Sequence, residues 1–151
     1  MMHSLRKVRG IAAPEVQERL RASGTAKQLG FEIVEVERGR VVLRMRVREH
    51  HKQVHGVVHG GVLAALADTA GGLASYTAAS GPRVATIEMK INYLEAVAGG
   101  TVLADARVVR IGKHIAVVDC DIREANGRLV GKALMSFFVG PFSEKSKKRR
   151  D

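Results

Sequence analysis

The sequence has little of three things: aromatic residues, cysteine and long apolar runs. It contains no tryptophan, and aromatic side chains make up 4% of its 151 residues. Proteins that bind single-stranded nucleic acid stack bases on aromatic side chains, so the composition disfavours that class. The single cysteine, Cys120, excludes a disulfide within the chain and predicts a cytoplasmic location, because reducing compartments keep thiols free. Cys120 lies in a run that alternates like a strand, where we expect a small buried hydrophobe rather than a nucleophile.

No stretch has the pattern of a signal peptide or a membrane span. Residues 1–14 are basic but lack the continuous apolar core of a signal peptide. The most apolar stretch, residues 62–74, is shorter than a bilayer span and is interrupted by Asp68. We therefore expect the protein to have no membrane partner.

Positive charge is in excess, with a formal net charge of +10. Residues 144–151 hold five of the lysines and arginines, and their Lys, Arg and Ser content predicts a disordered tail. A basic protein prefers anionic partners, which include nucleic acid, anionic membrane surfaces and phosphorylated small molecules. We interpret the arginines at 44, 46 and 48, on one face of a predicted strand, as solvated rather than as a binding surface.

Residues 53–72 are the stretch around which the rest of the chain is organised. They begin polar and rich in glycine and then become almost wholly apolar. In the apolar part, large residues recur at three- and four-residue spacing, which predicts a helix from His59 or Gly60 to about Ala78. Its other faces carry alanine and glycine, so we expect it to be enclosed on most sides. Asp68 in its middle is expensive to bury without partners, which marks it as a functional residue.

The predicted start of this helix suits a negatively charged oxygen. The first backbone N–H groups of a helix have no intrahelical partner, and Gly60 and Gly61 leave them open to another molecule's carbonyl oxygen. Nine residues separate His59 from Asp68, which corresponds to roughly 13 Å of rise and about half a turn. One copy of the helix therefore cannot place its own Gly60 N–H and its own Asp68 on one small carbonyl. Two antiparallel copies can, so a catalytic interpretation requires a homodimer.

The remaining periodicity predicts one domain with an α+β architecture. The expected elements are a short helix over 14–23, strands over 29–37 and 41–49, the long helix, and strands over 83–94, 101–111, 114–124 and 128–139. We therefore divide the chain into an N-terminal extension with a short helix (1–28), a folded domain (29–142) and a basic disordered tail (143–151). One enclosed helix among strands indicates an antiparallel sheet wrapped around that helix.

Three local expectations follow from the turn signals and the alternation. Gly24 ends the first helix. A turn connects the long helix to the next strand over 79–82. Strict alternation along 83–94 places Tyr93 with the apolar residues on one face and Thr86 with the polar residues on the other.

The order of elements and the motif His59-Gly60-Gly61, with an acid nine residues after the histidine, resemble the hotdog-fold acyl-CoA thioesterases. The phenylacetate-degradation branch of that family is the most similar. The resemblance covers residues 29–140 and has further landmarks at Gly56, in the run 86–94, and in the turn that holds Arg110, Gly112 and Lys113. It implies hydrolysis of an acyl- or aryl-CoA thioester to the free acid and coenzyme A.

The resemblance also implies roles for the motif residues. Asp68 would be the general base or the nucleophile, and the Gly60 N–H would polarise the thioester carbonyl. Gln53 would bind that carbonyl or orient the acid, although a surface polar residue is the alternative. Thr86 would hold the attacking water, although a β-branched residue also simply suits a strand. Some relatives carry a hydroxyl residue one turn after the acid, where this chain has Gly72, which shifts weight to Thr86.

The remaining site residues are expected to shape the helix start or bind substrate. His59 would hydrogen-bond locally at the helix start, with no proton transfer assigned to it, and Gly61 would leave room for substrate. Arg110, Gly112 and Lys113 would hold the coenzyme A phosphates, with Tyr93 on a strand near them. The alternative for this group is an ordinary hairpin turn with solvated cations.

We expect no metal or organic cofactor. The histidines at 51, 55 and 59 are spaced by four, but Gly56 and the β-branched Val57 and Val58 favour a loop, where this spacing does not align three imidazoles. The resemblance implies a homodimer that assembles as a dimer of dimers.

Three rival functions remain open from the sequence alone. A non-catalytic acyl-CoA binder would bind the thioester without releasing thiol, and the retained Asp68 argues against it. A nucleic-acid-associated protein is suggested by the net charge and the basic tail, but we regard a nucleic-acid partner as the weaker interpretation. The hotdog hydratases resemble this chain less, because their Asp-and-His helix motif is missing.

Overall fold

The computed structural model describes residues 13–79 and 82–141. The predicted disordered tail over 143–151 and the centre of the predicted turn, Ser80 and Gly81, lie outside these residues. The described elements are α1 (Ala13–Ala22), α2 (Gly24–Leu29), β1 (Phe31–Glu37), β2 (Arg40–Arg46), a short 3-10 helix (Glu49–His51), α3 (Gly60–Ala78), β3 (Arg83–Tyr93), β4 (Thr101–Ile111), β5 (Ile115–Glu124) and β6 (Leu129–Gly140).

The strands form one antiparallel sheet in the order β1-β2-β4-β5-β6-β3, and α3 packs against its inner face. The predicted α+β hotdog architecture, an antiparallel sheet around one long helix, is thereby confirmed. β1 and β3 are the two edge strands. None of the helices in the described ranges is long and apolar enough to cross a membrane.

Helix α3 lies very close to the sheet because several residues on its inner face have small side chains or none. A Cβ atom added at Gly71 would lie 2.7 Å from Met135 Cε and 3.0 Å from Phe137 Cζ, so only glycine permits this approach. The apolar residues buried between α3 and the sheet are Leu63, Leu66, Ala67, Ala70, Leu73, Ala74, Leu43, Met45, Val102, Ala104, Val118, Met135 and Phe137. Because this core holds one face of α3 against the sheet, the side of the helix that carries Asp68 lies next to β3.

The prediction that Gly24 ends the first helix and that residue 29 begins a strand is wrong. Ser23 instead starts a second helix, because its Oγ accepts a hydrogen bond from the Ala26 N–H at 3.2 Å. Helix α2 then ends at Gly30, which adopts a φ of 72° that favours glycine. The first strand therefore begins at Phe31.

The strand predicted over 41–49 is shorter than expected. β2 ends at Arg46, and the next residues turn into the 3-10 helix Glu49–His51. The His51 carbonyl then accepts the His59 N–H at 2.8 Å, which ties this turn to the residue before α3. The segment between β2 and α3 is therefore a fixed loop rather than a strand extension.

Candidate functional site

Asp68 lies half-buried on the face of α3 that looks toward β3. Its Oδ1 accepts a hydrogen bond of 2.7 Å from the Thr86 hydroxyl. Within the described ranges, no lysine, arginine or histidine nitrogen lies within 4.0 Å of its carboxylate. A carboxylate held by one hydroxyl and no cation retains free lone pairs for another molecule.

A β-bulge in β3 explains how Thr86 reaches the helix. The pairing with β6 shifts between Thr86 and Glu88, so Ile87 is the extra residue and is 54% exposed. Strict alternation would place Thr86 and Tyr93 on opposite faces, and that prediction is wrong. Thr86 contacts Asp68 and Tyr93 contacts Gly60, so both side chains face α3.

His59 caps the start of α3 and leaves one N–H group open. Its Nδ1 accepts the Gly61 N–H at 2.9 Å, so the Gly61 donor that was expected to face substrate is already occupied. No acceptor in the described ranges is bonded to the Gly60 N–H. The free donor at the positive end of the helix therefore belongs to Gly60.

Tyr93 covers the other side of Gly60. Its hydroxyl donates to the Gly60 carbonyl at 2.8 Å, and the side chain is 50% exposed. A Cβ atom added at Gly60 would lie 2.9 Å from the Tyr93 ring, so a side chain there would displace the tyrosine. The tyrosine and the helix start form one unit.

Gln53 is engaged within its own turn. Its Oε1 accepts the His55 N–H, and its backbone groups bond to Val57 and Gly56 at 2.9 Å. Gly56 adopts a φ of 78°, which this turn requires. Within one chain the Gln53 side chain has no hydrogen bond to Asp68, and its amide nitrogen is the group left to donate.

The cationic turn lies far from Tyr93, which corrects the expectation that they are neighbours. Arg110 lies near the end of β4, and Gly112 and Lys113 lie in the exposed β4–β5 turn, where the Gly112 N–H donates to the Ile115 carbonyl at 2.8 Å. Ile115 pairs with Phe138, whereas Tyr93 pairs with Gly131. Seven residues of β6 separate these levels, which is roughly 23 Å.

Asp68 and Gly60 open into different cavities of the same chain. Asp68 and Thr86 line a cavity of about 290 Å³, and Gly60 and Tyr93 line another of about 340 Å³. The two groups are eight residues apart on α3, or about 12 Å. Within one chain, the Asp68 carboxylate and the Gly60 N–H therefore cannot contact one small ligand together.

Helix α1 contributes side chains to the Asp68 cavity, and this contribution was not predicted from the sequence. The cavity is lined by side chains of α1 together with α3, β3 and β6, namely Arg19, Leu20, Ser23, Asp68, Thr69, Gly72, Leu73, Val84, Thr86 and Phe137. Leu20 is 4% exposed and packs in the main core, so α1 is held in place. The apolar spacing of Val16 and Leu20 was the available signal.

The remaining titratable candidates lie away from this cavity. His51 is 1% exposed, its Nδ1 accepts the Arg48 N–H at 3.0 Å, and burial followed by the nearby His50 lowers its pKa. The described ranges hold no group of three potential metal ligands. Cys120 is fully buried, and that burial raises its thiol pKa to about 12, so it stays protonated.

The sequence of this chain is similar to a known protein family and to individual members of known function classes. The Thioesterase superfamily matches residues 55–131, which include the His59 motif, Asp68, Thr86 and Tyr93. The chain is 31% identical over 108 residues to 1,4-dihydroxy-2-naphthoyl-CoA hydrolase of Listeria monocytogenes, covering 71% of this chain and 88% of that protein. It is 28% identical over 143 residues to human acyl-coenzyme A thioesterase 13, covering 93% and 97%.

The fold of this chain is also similar to that of a solved structure. The E. coli PaaI protein from the phenylacetic acid degradation operon superposes with a TM-score of 0.78 and is 26% identical. The superposition covers 84% of this chain and 91% of that protein.

Proposed function

The chain belongs to the thioesterase superfamily and is a thioester hydrolase, and from that premise we propose that it hydrolyses acyl- or aryl-CoA thioesters at a site shared by two subunits. The family resemblance inferred from the His59 motif and Asp68 is confirmed by these comparisons. One observation carries the proposal: the Asp68 carboxylate and the free Gly60 N–H lie in separate cavities, about 12 Å apart on α3.

The edge strand β3 supports the pairing of two chains. It lies at the end of the sheet, so one row of its backbone groups has no partner among the strands of the described residues. Ile87 and Tyr93 on this edge are 54% and 50% exposed. An antiparallel β3–β3 contact would cover this edge and run the two α3 helices in opposite directions.

The contacts of β3 with α3 fix the register that such a dimer needs. Thr86 marks the level of Asp68, and Tyr93 marks the level of Gly60. A two-fold axis near Met89 and Lys90, midway between those levels, would place Asp68 opposite Gly60 of the partner subunit. Each dimer would then hold two complete sites.

The chemistry follows from the groups that meet. A water oxygen attacks the thioester carbonyl carbon while Asp68 accepts a proton, or the Asp68 carboxylate attacks first and water then cleaves the resulting anhydride. The carbonyl oxygen becomes negative and is stabilised by the Gly60 N–H of the partner subunit. The carbon–sulfur bond breaks, the thiolate of coenzyme A leaves and is protonated, and the free acid remains.

Other residues assist at the two ends of the substrate. Thr86 holds the Asp68 carboxylate, and His59 occupies the Gly61 N–H so that Gly60 stays open. The free amide nitrogen of Gln53 would donate to the thioester carbonyl. Arg110 and Lys113, on either side of Gly112, are exposed and bind the coenzyme A phosphates. Two such dimers would assemble back to back.

A subunit-mixing experiment tests the shared site. Gly60→Pro removes the N–H but suits the first helical position, and His59 already has the extended ψ of 132° that a following proline requires. Gly60→Ala is the matched control, because it adds the same Cβ contact with Tyr93 and keeps the N–H. We expect Asp68→Asn and Gly60→Pro homodimers to be inactive in a thiol-release assay, and Gly60→Ala to be substantially more active than Gly60→Pro.

Mixing the two inactive variants, after unfolding and refolding them together, should restore activity. Random pairing makes half of the dimers mixed, and each mixed dimer carries one intact site of two, so about a quarter of wild-type activity should return. Size-exclusion chromatography of each variant checks that the dimer persists. An inactive mixture of well-folded mixed dimers would show that each site belongs to one subunit, and the proposal of a shared site would be abandoned.

A further inference from the structure

Arg19, which lines a neighbouring cavity with Glu15, Glu18 and Tyr76, also contributes to the Asp68 cavity. Arg19 of α1 lines this cavity and lies within 4.0 Å of no carboxylate in the described ranges. Its guanidinium stacks over the Tyr76 ring at 3.8 Å and donates one hydrogen bond to the Pro82 carbonyl. A guanidinium has five N–H donors, so most of them are available to a ligand.

Two contacts, with Tyr76 and Pro82, locate the Arg19 guanidinium just beyond the residues that line the Asp68 cavity. Tyr76 lies eight residues after Asp68 on α3, which corresponds to about 12 Å along the helix. Pro82 lies four residues before Thr86 along the β3 direction, which corresponds to about 13 Å. Because Tyr76 and Pro82 both hold the guanidinium, it lies about 12 Å from the Asp68–Thr86 pair.

The wall between these two ends is apolar and open. Leu73, Val84 and Phe137 line it, and Gly72 adds no side chain. A Cβ atom added at Gly72 would meet only Phe137, at an ordinary 3.6 Å, so the space over this glycine is free. The cavity volume of about 290 Å³ exceeds the 150 Å³ or so that holds a benzene molecule in a protein core.

We propose that this cavity binds acyl groups that end in a carboxylate or another strong hydrogen-bond acceptor, and that Arg19 binds this distal group. The proposal rests on the thioesterase function proposed above. A reacting carbonyl lies about 3 Å from its attacking group and an acceptor lies about 3 Å from its donor, so about 6 Å of the 12 Å separates them. A five-carbon dicarboxylic acyl chain has this length.

The chemistry of Arg19 favours an anion over a neutral chain end. The Tyr76 ring holds the guanidinium plane, so little side-chain freedom is lost when a carboxylate binds to its donors. Charge-assisted hydrogen bonds are about twice as strong as neutral ones. Repulsion between the distal carboxylate and Asp68 acts over about 9 Å, roughly one Debye length at physiological ionic strength, so salt screens much of it.

Matched thioesters test the proposal. Glutaryl-CoA and pentanoyl-CoA have the same chain length and differ in the distal carboxylate. We expect kcat/KM of the wild-type protein to favour glutaryl-CoA by about tenfold or more, mainly through KM, because a charged hydrogen bond outweighs a neutral contact by this order. A second pair, 4-hydroxyphenylacetyl-CoA and phenylacetyl-CoA, distinguishes a hydroxyl from a carboxylate as the preferred distal group.

Variants assign the preference to one side chain. Arg19→Met keeps the apolar stem and should remove the preference, because kcat/KM for glutaryl-CoA falls more than kcat/KM for pentanoyl-CoA. Arg19→Lys should retain part of it, because the ammonium keeps the charge without the planar donors. Arg21→Met, an exposed α1 residue that does not line this cavity, is the control and should leave the ratio unchanged.

The outcomes separate this inference from the function on which it rests. Equal kcat/KM within both pairs, with measurable hydrolysis, would overturn the Arg19 proposal and leave the thioesterase proposal intact. A preference that survives Arg19→Met would also overturn it. Absence of thiol release from every thioester would instead contradict the proposed function itself.

Discussion

The charges on the outer face of the sheet form ion pairs with one another. The charges in the α3 groove, the cavity lined by Asp68, Thr86 and Arg19, do not. On the outer face, Arg40 and Arg107 bind Asp105 at 2.9 and 3.0 Å, and Lys132 bridges Asp119 and Asp121. In the groove, Asp68 has only the Thr86 hydroxyl, and Arg19 has no carboxylate within the described ranges. The outer charges satisfy one another, whereas the groove charges remain available to a ligand.

This difference also changes the meaning of the net charge. The value of +10 already subtracts the carboxylates, so ion pairs leave it unchanged, but they place acids among the cations of the surface. The arginine at 44, interpreted from the sequence as solvated, pairs with Glu32 on the exposed face. Among the described residues, Asp68 and Arg19 have no such ion pair, which agrees with the roles proposed for them above.

Removing one carboxylate from each region should give opposite results, and the largest effect should follow Asp68→Asn. We expect kcat to fall by about 10²–10⁴-fold, the range for the loss of a general base, with little change in melting temperature. Thiol release from an acyl-CoA panel and thermal unfolding measure the two properties. Near wild-type turnover by Asp68→Asn would remove the acid from the mechanism and end the comparison.

Asp105→Asn should reverse this pattern. Burial alone would raise the pKa of Asp105, but hydrogen bonds from Arg40 and Arg107 outweigh burial and lower it, so the ionised form stabilises the fold. We expect the free energy of unfolding to decrease by about 1–3 kcal/mol, because Arg40 loses a charged, half-buried acceptor. Hydrolysis at 25 °C should be unchanged.

The exposed pair on the same face supplies the control for Asp105. Glu32→Gln breaks a contact with Arg44 in which both side chains are more than half exposed. Such pairs contribute about 0–1 kcal/mol, so unfolding should barely change. Equal destabilisation by Glu32→Gln and Asp105→Asn would mean that burial does not distinguish these ion pairs.

Thr86 sharpens the groove side of the comparison, because only its hydroxyl joins it to Asp68. Thr86→Val keeps the β-branched shape that suits the strand and removes the donor. We expect kcat to fall about tenfold, the worth of one hydrogen bond to a charged group, and Thr86→Ser to retain most activity. Similar kinetics for Thr86→Val and the wild type would assign this residue to the strand alone.

The sequence was sufficient to predict the parts of this molecule that depend on local pattern. The bounds of α3 follow from its apolar spacing and from His59 as its cap, and the structure places them at Gly60–Ala78. Five of the strands lie within a few residues of their expected ranges for the same reason. The role of Asp68 stays a prediction, which the Asp68→Asn experiment tests.

The position of Thr86 against Asp68 could not be derived from alternation. The bulge at Ile87 depends on how β3 pairs with β6, and no glycine or turn-forming residue lies beside Ile87 to indicate it in the sequence. Without the bulge, Thr86 and Tyr93 would point to opposite faces and only one of them could meet α3. The resemblance named both residues, but the pairing of two distant strands brings them to the same side.

Arg19 was missed because residues 1–28 were expected to be an extension. Val16 and Leu20 of α1 are 0% and 4% exposed and lie in the same core as α3, so this helix is part of the folded unit. The spacing of Val16 and Leu20 predicts an inward face but not which cavity the intervening arginine reaches. That position depends on contacts with Tyr76 and Pro82, which are distant in sequence.

The smallest expected effect concerns a third kind of charge, one that the fold keeps neutral. Burial, followed by repulsion from His50, lowers the pKa of His51 below its usual value of 6.5. Below about pH 6.5 the unfolded chain takes up a proton at this residue and the folded chain does not. The free energy of unfolding therefore decreases as the pH is lowered, until the pH reaches the pKa of the folded state. The carboxylates with lowered pKa values, such as Asp105, act only at more acidic pH.

We therefore expect the melting temperature to fall between about pH 7 and pH 5 and this fall to be smaller in His51→Asn. Asparagine keeps an acceptor for the Arg48 N–H, which the His51 Nδ1 accepts at 3.0 Å, and it does not titrate. The exposed neighbour provides the control, since His50→Gln should leave most of the pH dependence in place. An unchanged slope in His51→Asn would assign the acid sensitivity to other groups, and the loop before α3 would then gain no stability from a neutral histidine.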